Sequence, residues 1–286
     1  MTDRAPGARR CGVLGHPIDH SLSPLLHRTA YAELGLDWTY VAHDVSADAL
    51  PGFLDRLDPS WRGLSLTMPL KRAVVPLLDS MDEWAHLAGV ANTVLLEDGQ
   101  RLGFNTDIPG ATAAIVEQVR TPVRSAVVIG GGATATSLLL ALAELGCRTA
   151  TLLVRDVERA AETVRAVGTH PRAPQLSVST IAGAIALEAD LVVSTVPVSA
   201  QTPELLAACA DVAAVFEVVY DPWPTPLTRA AAQSGRPLVS GLDLLAHQAV
   251  LQVDLMTGEP VPVDLIRNAG LAELVHRAVR NAAGTD

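Results

Sequence analysis

Lysine is almost absent from this sequence. Lys71 is the only one, and the other twenty basic residues in a Lys+Arg total of 21 are arginines. Acidic residues outnumber basic ones, and the formal net charge of -10 argues against a general affinity for nucleic acid, which needs clustered positive charge. We therefore expect a small molecule as the partner, and the retention of one lysine needs a reason.

Cysteines and long apolar runs are also scarce. Cys11, Cys147 and Cys209 are far apart and form no CxxC pair, which argues against a disulfide framework or a zinc knuckle, so we predict buried or half-buried thiols. No uninterrupted apolar run is long enough to span a bilayer, and the N-terminal residues lack the apolar core of a signal peptide. We expect a cytoplasmic protein, monomeric or homodimeric, that binds neither nucleic acid nor membrane.

What the sequence does contain is an alternation of apolar runs and helix-like stretches without a repeat period, which is typical of an α/β protein. Its 286 residues suffice for two domains. In the first half, Ser23 is predicted to cap a helix that has Pro24 at its first position and runs to about Leu34. Strands are predicted at 11–15, 38–45 and 64–67, a further helix at 73–78, and a hairpin at 91–96 with 102–105.

The pattern of residues changes at Ser125, where a predicted strand, a glycine turn and a predicted long helix follow one another. Further β-branched strands are predicted at 149–154, 190–195 and 212–219, separated by helix-length stretches, which indicates a parallel sheet with right-handed crossovers. The chain is helical again after Gly241, and C-terminal helices are expected to return to the first domain. The predicted domains are 1–108 with 242–286, and 109–241.

The glycine turn fits the pattern G-x-G-x-x-G/A with Gly130, Gly132 and Ala135, between an apolar strand and a helix. The first glycine permits the tight turn and the second lets the backbone approach a pyrophosphate. The small third residue lets helix and strand pack closely, and the helix N-terminus attracts the phosphates. This context predicts a doubly wound Rossmann domain that binds a dinucleotide.

The next strand end decides which dinucleotide is expected. Arg155 stands where the strand stops and Arg159 lies four residues further on, so both are candidates for a 2′-phosphate, which favours NADP. Asp156 has two interpretations: it caps the following helix, or it binds a ribose hydroxyl and admits NAD. We expect NADP, with NAD as the less favoured cofactor.

The first domain contains short clusters of polar residues at positions where packing of a hydrophobic core does not require polar side chains. Taken singly, each residue has an ordinary explanation as a helix cap, strand residue or turn former. Taken together, hydroxyls, amides and a carboxylate converging from strand ends suit a polyhydroxylated substrate. The clusters are Ser21 and Ser23; Ser65, Thr67 and Lys71; Asn92 and Thr93; and Asn105, Thr106 and Asp107.

These clusters form a series of motifs that resembles the shikimate dehydrogenase family over almost the whole chain. In order, the motifs are HSLSP, G-x-S-x-T-x-P-x-K (63–71), ANT (91–93), FNTD (104–107), the glycine turn, YDPWPTPL (220–227) and G-x-x-x-L-x-x-Q (241–248). The resemblance implies reversible NADP-linked reduction of 3-dehydroshikimate to shikimate, within aromatic amino acid biosynthesis. The first domain would then bind substrate and the Rossmann domain NADP.

The same resemblance assigns roles to individual residues. Lys71 and Asp107 would be the catalytic pair, because a lysine can give or take a proton at an alcohol oxygen whereas an arginine holds its proton too tightly. Ser21, Ser23 and Tyr220 would bind the ring carboxylate, and Thr67, Asn92, Asp107 and Gln248 the ring hydroxyls. No metal is implied. The cofactor would be held by Gly130, Gly131, Gly132, Ala133, Arg155, Arg159 and Gly241.

Some positions depart from the family pattern. Ser65 stands at a usual asparagine, Glu217 at an aspartate, Leu244 at a methionine and Asp156 at a small hydroxyl residue, while Ile108-Pro109 replaces a glycine. Shikimate, quinate and an amino analogue therefore stay open as substrates. The alternatives are an NAD-dependent quinate/shikimate dehydrogenase and a catalytically silent nucleotide-binding protein on the same scaffold. The intact Lys71 and Asp107 favour an enzyme.

Overall fold

The computed structural model describes residues 7–183 and 186–283, except for the side chains of Arg159 and of residues 281–283. Backbone contacts divide the chain into two compact units. The first unit consists of Met1–Thr106 and Gln248–Asp286, and the second of Asp107–His247. The predicted boundaries, at 108 and 242, differ from these by a few residues. The assignment of substrate and dinucleotide binding to separate domains stays a prediction.

The first unit contains a mixed sheet covered by helices. Its six described strands follow the order β2-β1-β3-β5-β6-β4. Pairs β1–β2, β1–β3 and β4–β6 are parallel, and β3–β5 and β5–β6 are antiparallel. The elements are β1 (Arg10–Gly15), α1 (Ser23–Glu33), β2 (Thr39–Asp44), α2 (Leu50–Leu54), β3 (Trp61–Leu66), α3 (Leu70–Ala73), a 3-10 turn (Val75–Leu77), β4 (Ser80–Met81), α4 (Glu83–Ala88), β5 (Thr93–Glu97) and β6 (Gln100–Phe104).

Two local predictions for this unit were wrong. Leu22 is the N-cap residue of α1, and Ser23 is already its first helical residue. The Ser21 hydroxyl accepts a hydrogen bond from the Ser23 N–H (3.3 Å), so the polar group that supports the helix start lies two residues earlier. The helix expected at 73–78 begins at Leu70 and gives way to a 3-10 turn, since Pro76 has no N–H to continue the α-helical pattern.

The second unit is a parallel sheet with helices in its crossovers. The described strand order is β12-β11-β10-β7-β8-β9, which is the doubly wound Rossmann order, with the switch point between β7 and β10. The elements are α5 (Asp107–Gln118), β7 (Ser125–Ile129), α6 (Ala133–Glu144), β8 (Thr149–Val154), a 3-10 turn (Glu158–Ala160), α7 (Ala161–Gly168), β9 (Gln175–Thr180), a 3-10 turn (Ile181–Gly183), β10 (Leu191–Ser194), a 3-10 turn (Val198–Ala200), α8 (Pro203–Ala208), β11 (Ala214–Glu217), α9 (Pro226–Gln233) and β12 (Leu238–Ser240).

The predicted α/β fold class is confirmed, and so are the strands around 125, 149, 190 and 212 and their parallel pairing. Sequence reasoning missed β9 and β12, which form the two edges of the second sheet. The residues of β9 are mostly exposed and polar, and β12 has only three residues, so neither carries the apolar signal of a buried strand.

Two long helices complete the chain, α10 (Gly241–Thr257) and α11 (Val263–Ala283). In the first unit α11 packs against α1, so the expected return of the C-terminal helices to this domain is confirmed. Arg277 of α11 donates to the carbonyl of His20 (2.8 Å), directly before the two serines. None of the described helices combines the length and the apolar character needed to cross a bilayer. The three cysteines are buried free thiols.

Candidate active site

The two predicted carboxylate-binding serines of the first unit lie where the chain enters α1. Ser23 is buried and Ser21 is half-buried. The preceding turn is held at both ends, because Arg277 donates to the carbonyl of His20 and the His16 Nδ1 contacts the Asp44 carboxylate (2.6 Å). The serine hydroxyls are therefore presented by an anchored turn at a helix N-terminus, which is a favourable place for an anion.

Thr67 follows β3 directly, and Lys71 lies in α3, the next helix. The Thr67 carbonyl accepts from the Leu70 N–H (2.7 Å), which turns the chain into the short helix α3. The Lys71 carbonyl accepts from the Ala91 N–H (2.9 Å), so the backbone of Lys71 is attached to the residue before Asn92. The Lys71 side chain is half-buried. Local folding thus brings the single lysine to the strand end that carries the predicted amide.

Asn92, Thr106 and Gln248 form a buried amide cluster. The Thr106 N–H donates to Asn92 Oδ1 (2.8 Å), and Asn92 Nδ2 donates to Thr106 Oγ1 (2.9 Å) and to Gln248 Oε1 (3.1 Å). A backbone N–H can only donate, so the oxygen of the Asn92 amide must be the atom that faces the Thr106 N–H. Residues separated by 156 positions in the chain are thereby brought into one site.

Four further residues adjoin this cluster. Sequence reasoning placed Ser65 and Thr93 among the polar clusters but missed Gln252 and Tyr40. Gln252 lies one turn after Gln248 on α10, and its amide bonds Thr93 Oγ1 (2.9 Å) and Ser65 Oγ (2.7 Å). The Tyr40 hydroxyl donates to Ser65 Oγ (2.6 Å). The spacing of four between the two glutamines is the one signal that points to Gln252, because such residues share a helix face.

In the second unit Asp107 is the first residue of α5, directly after Thr106 in the chain, and it is buried. A carboxylate in the first turn of a helix is stabilised by the positive end of the helix dipole. Asp107 directly follows Thr106 of the amide cluster, and both residues belong to the motif FNTD. Its predicted catalytic role stays a prediction.

Tyr220 lies in the loop after β11, which a buried carboxylate anchors. Glu217, at the end of β11, accepts from Gln201 Nε2 (2.5 Å), from Thr225 Oγ1 (3.0 Å) and from the Val219 N–H (3.1 Å). Burial raises the pKa of Glu217, and these three hydrogen bonds oppose that rise. Glutamate at this position therefore ties the loop that carries Tyr220 to β11 and to α9.

Gly241 has a packing reason to be glycine. A Cβ at this position would overlap the Val218 carbonyl and approach the N–H of Tyr220 within 3.2 Å, so only glycine lets the start of α10 pass the Tyr220 loop. The residue is also buried. Close backbone packing accounts for Gly241, and its predicted contact with a cofactor stays a prediction.

The glycine turn has the geometry that its sequence predicts. Gly130 has a φ of +108°, and a Cβ there would overlap the Thr195 side chain of the neighbouring strand end, so glycine is required. A Cβ on Gly132 would meet no atom within 4 Å, which leaves open space beside the backbone. Gly132 is the N-cap of α6, so the cap residue itself has no side chain to bond the first N–H groups of the helix. Ala135 is fully buried where α6 packs on the sheet.

The arginine predicted to select the cofactor lies at the end of β8, which pairs with β7, the strand that leads into the glycine turn. Arg155 is exposed and follows β8 directly. Asp156 precedes the N-cap residue Val157, so its interpretation as the helix cap is off by one position, but its Oδ1 accepts from the Glu158 N–H (3.0 Å). The Arg159 side chain lies outside the described part of the structure. Asp156 is thus engaged by the backbone of its own turn.

Two family models match parts of this chain. Residues 13–94 match the family model of the shikimate dehydrogenase substrate binding domain, and residues 241–269 match that of the shikimate 5'-dehydrogenase C-terminal domain. The first match spans the loop with the two serines, Lys71 and Asn92, and the second spans Gln248 and Gln252. Both matches therefore cover residues of the amide cluster and its neighbours.

Relatives match along nearly the full chain. Shikimate dehydrogenase (NADP(+)) of Methanopyrus kandleri is 36% identical over 92% of this chain and 95% of its own length. The crystal structure of Mycobacterium tuberculosis shikimate dehydrogenase has a TM-score of 0.83, 36% identity, and coverage of 92% of this chain and 99% of that one. The Thermus thermophilus shikimate 5-dehydrogenase, crystallised with NADP(H) and shikimate, has a TM-score of 0.76 at 32% identity, with coverage of 91% and 98%. The resemblance seen in the motifs is confirmed, and the chain belongs to the shikimate dehydrogenase family.

Proposed function

We propose that this protein is an NADP-dependent shikimate dehydrogenase, which reversibly reduces 3-dehydroshikimate to shikimate. The observation that carries the proposal is the likeness, from end to end of the chain, to relatives that bear this name. The intact Lys71 and Asp107 support a working enzyme over a silent nucleotide-binding protein. Residues built for hydrogen bonding to several hydroxyls support a polyhydroxylated ring as the substrate.

The residues of the second unit fit a dinucleotide phosphate. Open space beside Gly132 and the N-terminus of α6 suit a pyrophosphate, and the exposed Arg155 at the end of β8 suits a 2′-phosphate. Gly130, Gly131, Gly132 and Ala133 would hold the pyrophosphate. NADP, when bound, accepts the hydride that leaves the substrate carbon during oxidation. Everything else in the reaction falls to the side chains of this protein.

Those side chains bind the substrate and move one proton. We propose that Ser21 and Ser23 receive the ring carboxylate, and that Thr67, Asn92 and Gln248 receive ring hydroxyls. In the oxidation direction the amine of Lys71 takes the proton from the reacting hydroxyl, and in reduction its ammonium returns it to the carbonyl oxygen. Asp107 is proposed as the second catalytic group. The buried, fixed amides exclude water from one side of the substrate ring, and they orient the ring for reaction.

Turnover measured in a two-by-two grid tests this proposal. The purified protein is mixed with shikimate or quinate and with NADP or NAD, and the reduced nicotinamide is followed by absorbance. We expect rapid turnover with shikimate and NADP. Preference for quinate or NAD would replace this function by that of a quinate/shikimate dehydrogenase, and silence in all four mixtures would leave only a nucleotide-binding role.

Arg155 allows the cofactor assignment to be tested separately. Because a hydrogen bond to a charged group contributes about 1.5–3 kcal/mol, Arg155→Ala is expected to raise KM for NADP at least about tenfold and to leave KM for shikimate within about twofold. Arg148 is a matched control, since it is exposed and precedes the same strand at its other end. Equal increases in both Michaelis constants, or the same effect from Arg148→Ala, would contradict a phosphate contact.

A further inference from the structure

A continuous series of hydrogen bonds runs through the first unit to the amide cluster. The Tyr40 hydroxyl donates to Ser65 Oγ (2.6 Å), and Ser65 Oγ donates to Gln252 Oε1 (2.7 Å). Gln252 Nε2 then donates to Thr93 Oγ1 (2.9 Å). All four side chains are buried. The antiparallel register sets Ser65 directly opposite Thr93 on β3 and β5, and Gln252 bridges the two hydroxyls.

The series continues into the proposed substrate ligands. Thr93 Oγ1 donates to Asn92 Oδ1 (3.0 Å), and Asn92 Nδ2 donates to Gln248 Oε1 (3.1 Å). Along this series each residue donates a hydrogen bond to the next one, from Tyr40 at one end to Gln248 at the other. We call these six residues the relay. Aligned hydrogen bonds of this kind polarise and strengthen one another in a buried environment.

Two backbone groups make the direction of the relay unambiguous. The carbonyl of Asn92 accepts from Gln252 Nε2 (3.3 Å), so the Gln252 oxygen must face Ser65. Ser65 must then donate to that oxygen, and the Tyr40 hydroxyl must donate to Ser65. At the other end, the Thr106 N–H requires the Asn92 oxygen to face it. Neither amide can rotate without placing two donors or two acceptors against each other.

Ser65 has its hydroxyl proton committed to Gln252 and a lone pair committed to Tyr40. It is only 4% exposed. Burial raises the pKa of Tyr40, which keeps the phenol protonated and able to donate at any assay pH. The serine at this position therefore bonds neighbouring residues, and its hydroxyl proton is not available to a ligand.

We propose that Tyr40, Ser65, Gln252 and Thr93 are positioning residues, which fix the amide orientation of Asn92 and Gln248 and so set the hydrogen-bond pattern that the substrate hydroxyls meet. The inference rests on the proposed function, because Asn92 and Gln248 are taken as ligands of the ring. Loss of one member would leave buried polar atoms unpaired and would hold the next amide less firmly in place. The consequence is a poorer match to shikimate, with no effect on the dinucleotide.

Thr93→Val tests this role, since it removes the hydroxyl while nearly keeping the shape of the side chain. We expect kcat/KM for shikimate to fall about tenfold, with KM for NADP within about twofold of wild type. Thr93→Ser restores the hydroxyl and is expected to restore most of kcat/KM. Val94→Ala controls for lost stability, because Val94 is the next residue of the strand and packs in the core of the same unit, away from the relay. It is expected to lower the urea midpoint and to leave both Michaelis constants unchanged.

The possible results distinguish a failure of the proposed function from a failure of the positioning role. A wild-type protein that does not oxidise shikimate would overturn the proposed function and this role with it. Wild-type activity together with unchanged kinetics in a folded Thr93→Val would overturn the positioning role alone. If Thr93→Val does not fold, Tyr40→Phe decides, since it deletes one oxygen at the far end of the relay. We expect about a threefold loss in kcat/KM for shikimate alone, and wild-type values would overturn the proposal.

Discussion

Replacing Lys71 by alanine is expected to lower kcat for shikimate oxidation by a factor of about 10²–10⁴, because a proton-transfer group typically contributes that much. The protein should stay folded, since the Lys71 side chain is only half-buried and alanine keeps the bond from the Ala91 N–H to the carbonyl of this residue. Steady-state kinetics with shikimate and NADP measure the loss. Urea unfolding and circular dichroism measure whether the fold is retained.

Two further variants make this result specific. Lys71→Arg keeps the positive charge but cannot release a proton, so it is expected to lose nearly as much activity as Lys71→Ala. Arg72→Ala removes the neighbouring cation of the same short helix and is expected to keep kcat within a few-fold of wild type. Wild-type turnover in Lys71→Arg would show that only charge matters, and turnover in Lys71→Ala would remove this residue from the mechanism.

The stability of the protein is expected to fall steeply below neutral pH because of His27. The ring is fully buried and stacks on Tyr40 at 4.0 Å between centroids. Its Nδ1–H donates to the Ser23 carbonyl (3.0 Å), whereas Nε2 is buried without a hydrogen-bond partner. Burial lowers the pKa of His27 to about 4, and the bond to Ser23 opposes this only in part. The folded state therefore holds this imidazole neutral.

The sign of the pH effect follows from proton linkage. Between pH 6.5 and about 4 the unfolded chain protonates His27 and the folded protein does not, so the free energy of unfolding decreases as the pH falls through this window. The difference in pKa corresponds to about 3 kcal/mol, all of which is retained above pH 6.5. Urea unfolding at pH 7, 6, 5 and 4 measures the decrease.

A substitution isolates the contribution of this one histidine. His27→Phe keeps a ring against Tyr40 but cannot titrate, so its free energy of unfolding is expected to fall by about 3 kcal/mol less than that of wild type between pH 7 and pH 4. His86→Phe, the same change at an exposed position, should leave the wild-type dependence intact. If the free energy of unfolding had the same pH dependence in wild type and His27→Phe, His27 would be protonated as readily in the folded state as in the unfolded state, which would contradict the prediction.

Much of the fold was predictable because its signals are local. The strand at 149–154 has the predicted bounds, and the predicted tight turn is present at Gly130, where φ is positive, since a strand followed by glycine and a helix admits few backbone paths. Errors arose where local signals are weak. The edge strands β9 and β12 have no buried apolar run, and the start of α1 depends on Ser21 as well as Ser23.

The candidate site was predictable one residue at a time, but its connections were not. Asn92 and Gln248 were predicted as ligands from separate motifs, and nothing in their spacing indicates that they bond each other. Ser65 was grouped with the polar residues suited to a substrate, whereas the structure commits its hydroxyl to Tyr40 and Gln252. Tyr40 carries no motif, so only its hydrogen bond identifies its place.

By itself, the sequence determined most of the strands and helices and their order, the glycine turn, the single lysine and the motifs that carry the family resemblance. These depend on residue type and short-range spacing, which a linear chain displays directly. Only the tertiary structure decided which polar groups meet. Ser65 and Gln252 are 187 residues apart, and they bond because the antiparallel register of β3 and β5 and the packing of α10 bring them together. Hydrogen bonds act over about 3 Å, so the hydrogen-bond partners of a residue are decided by folding and not by its distance along the chain.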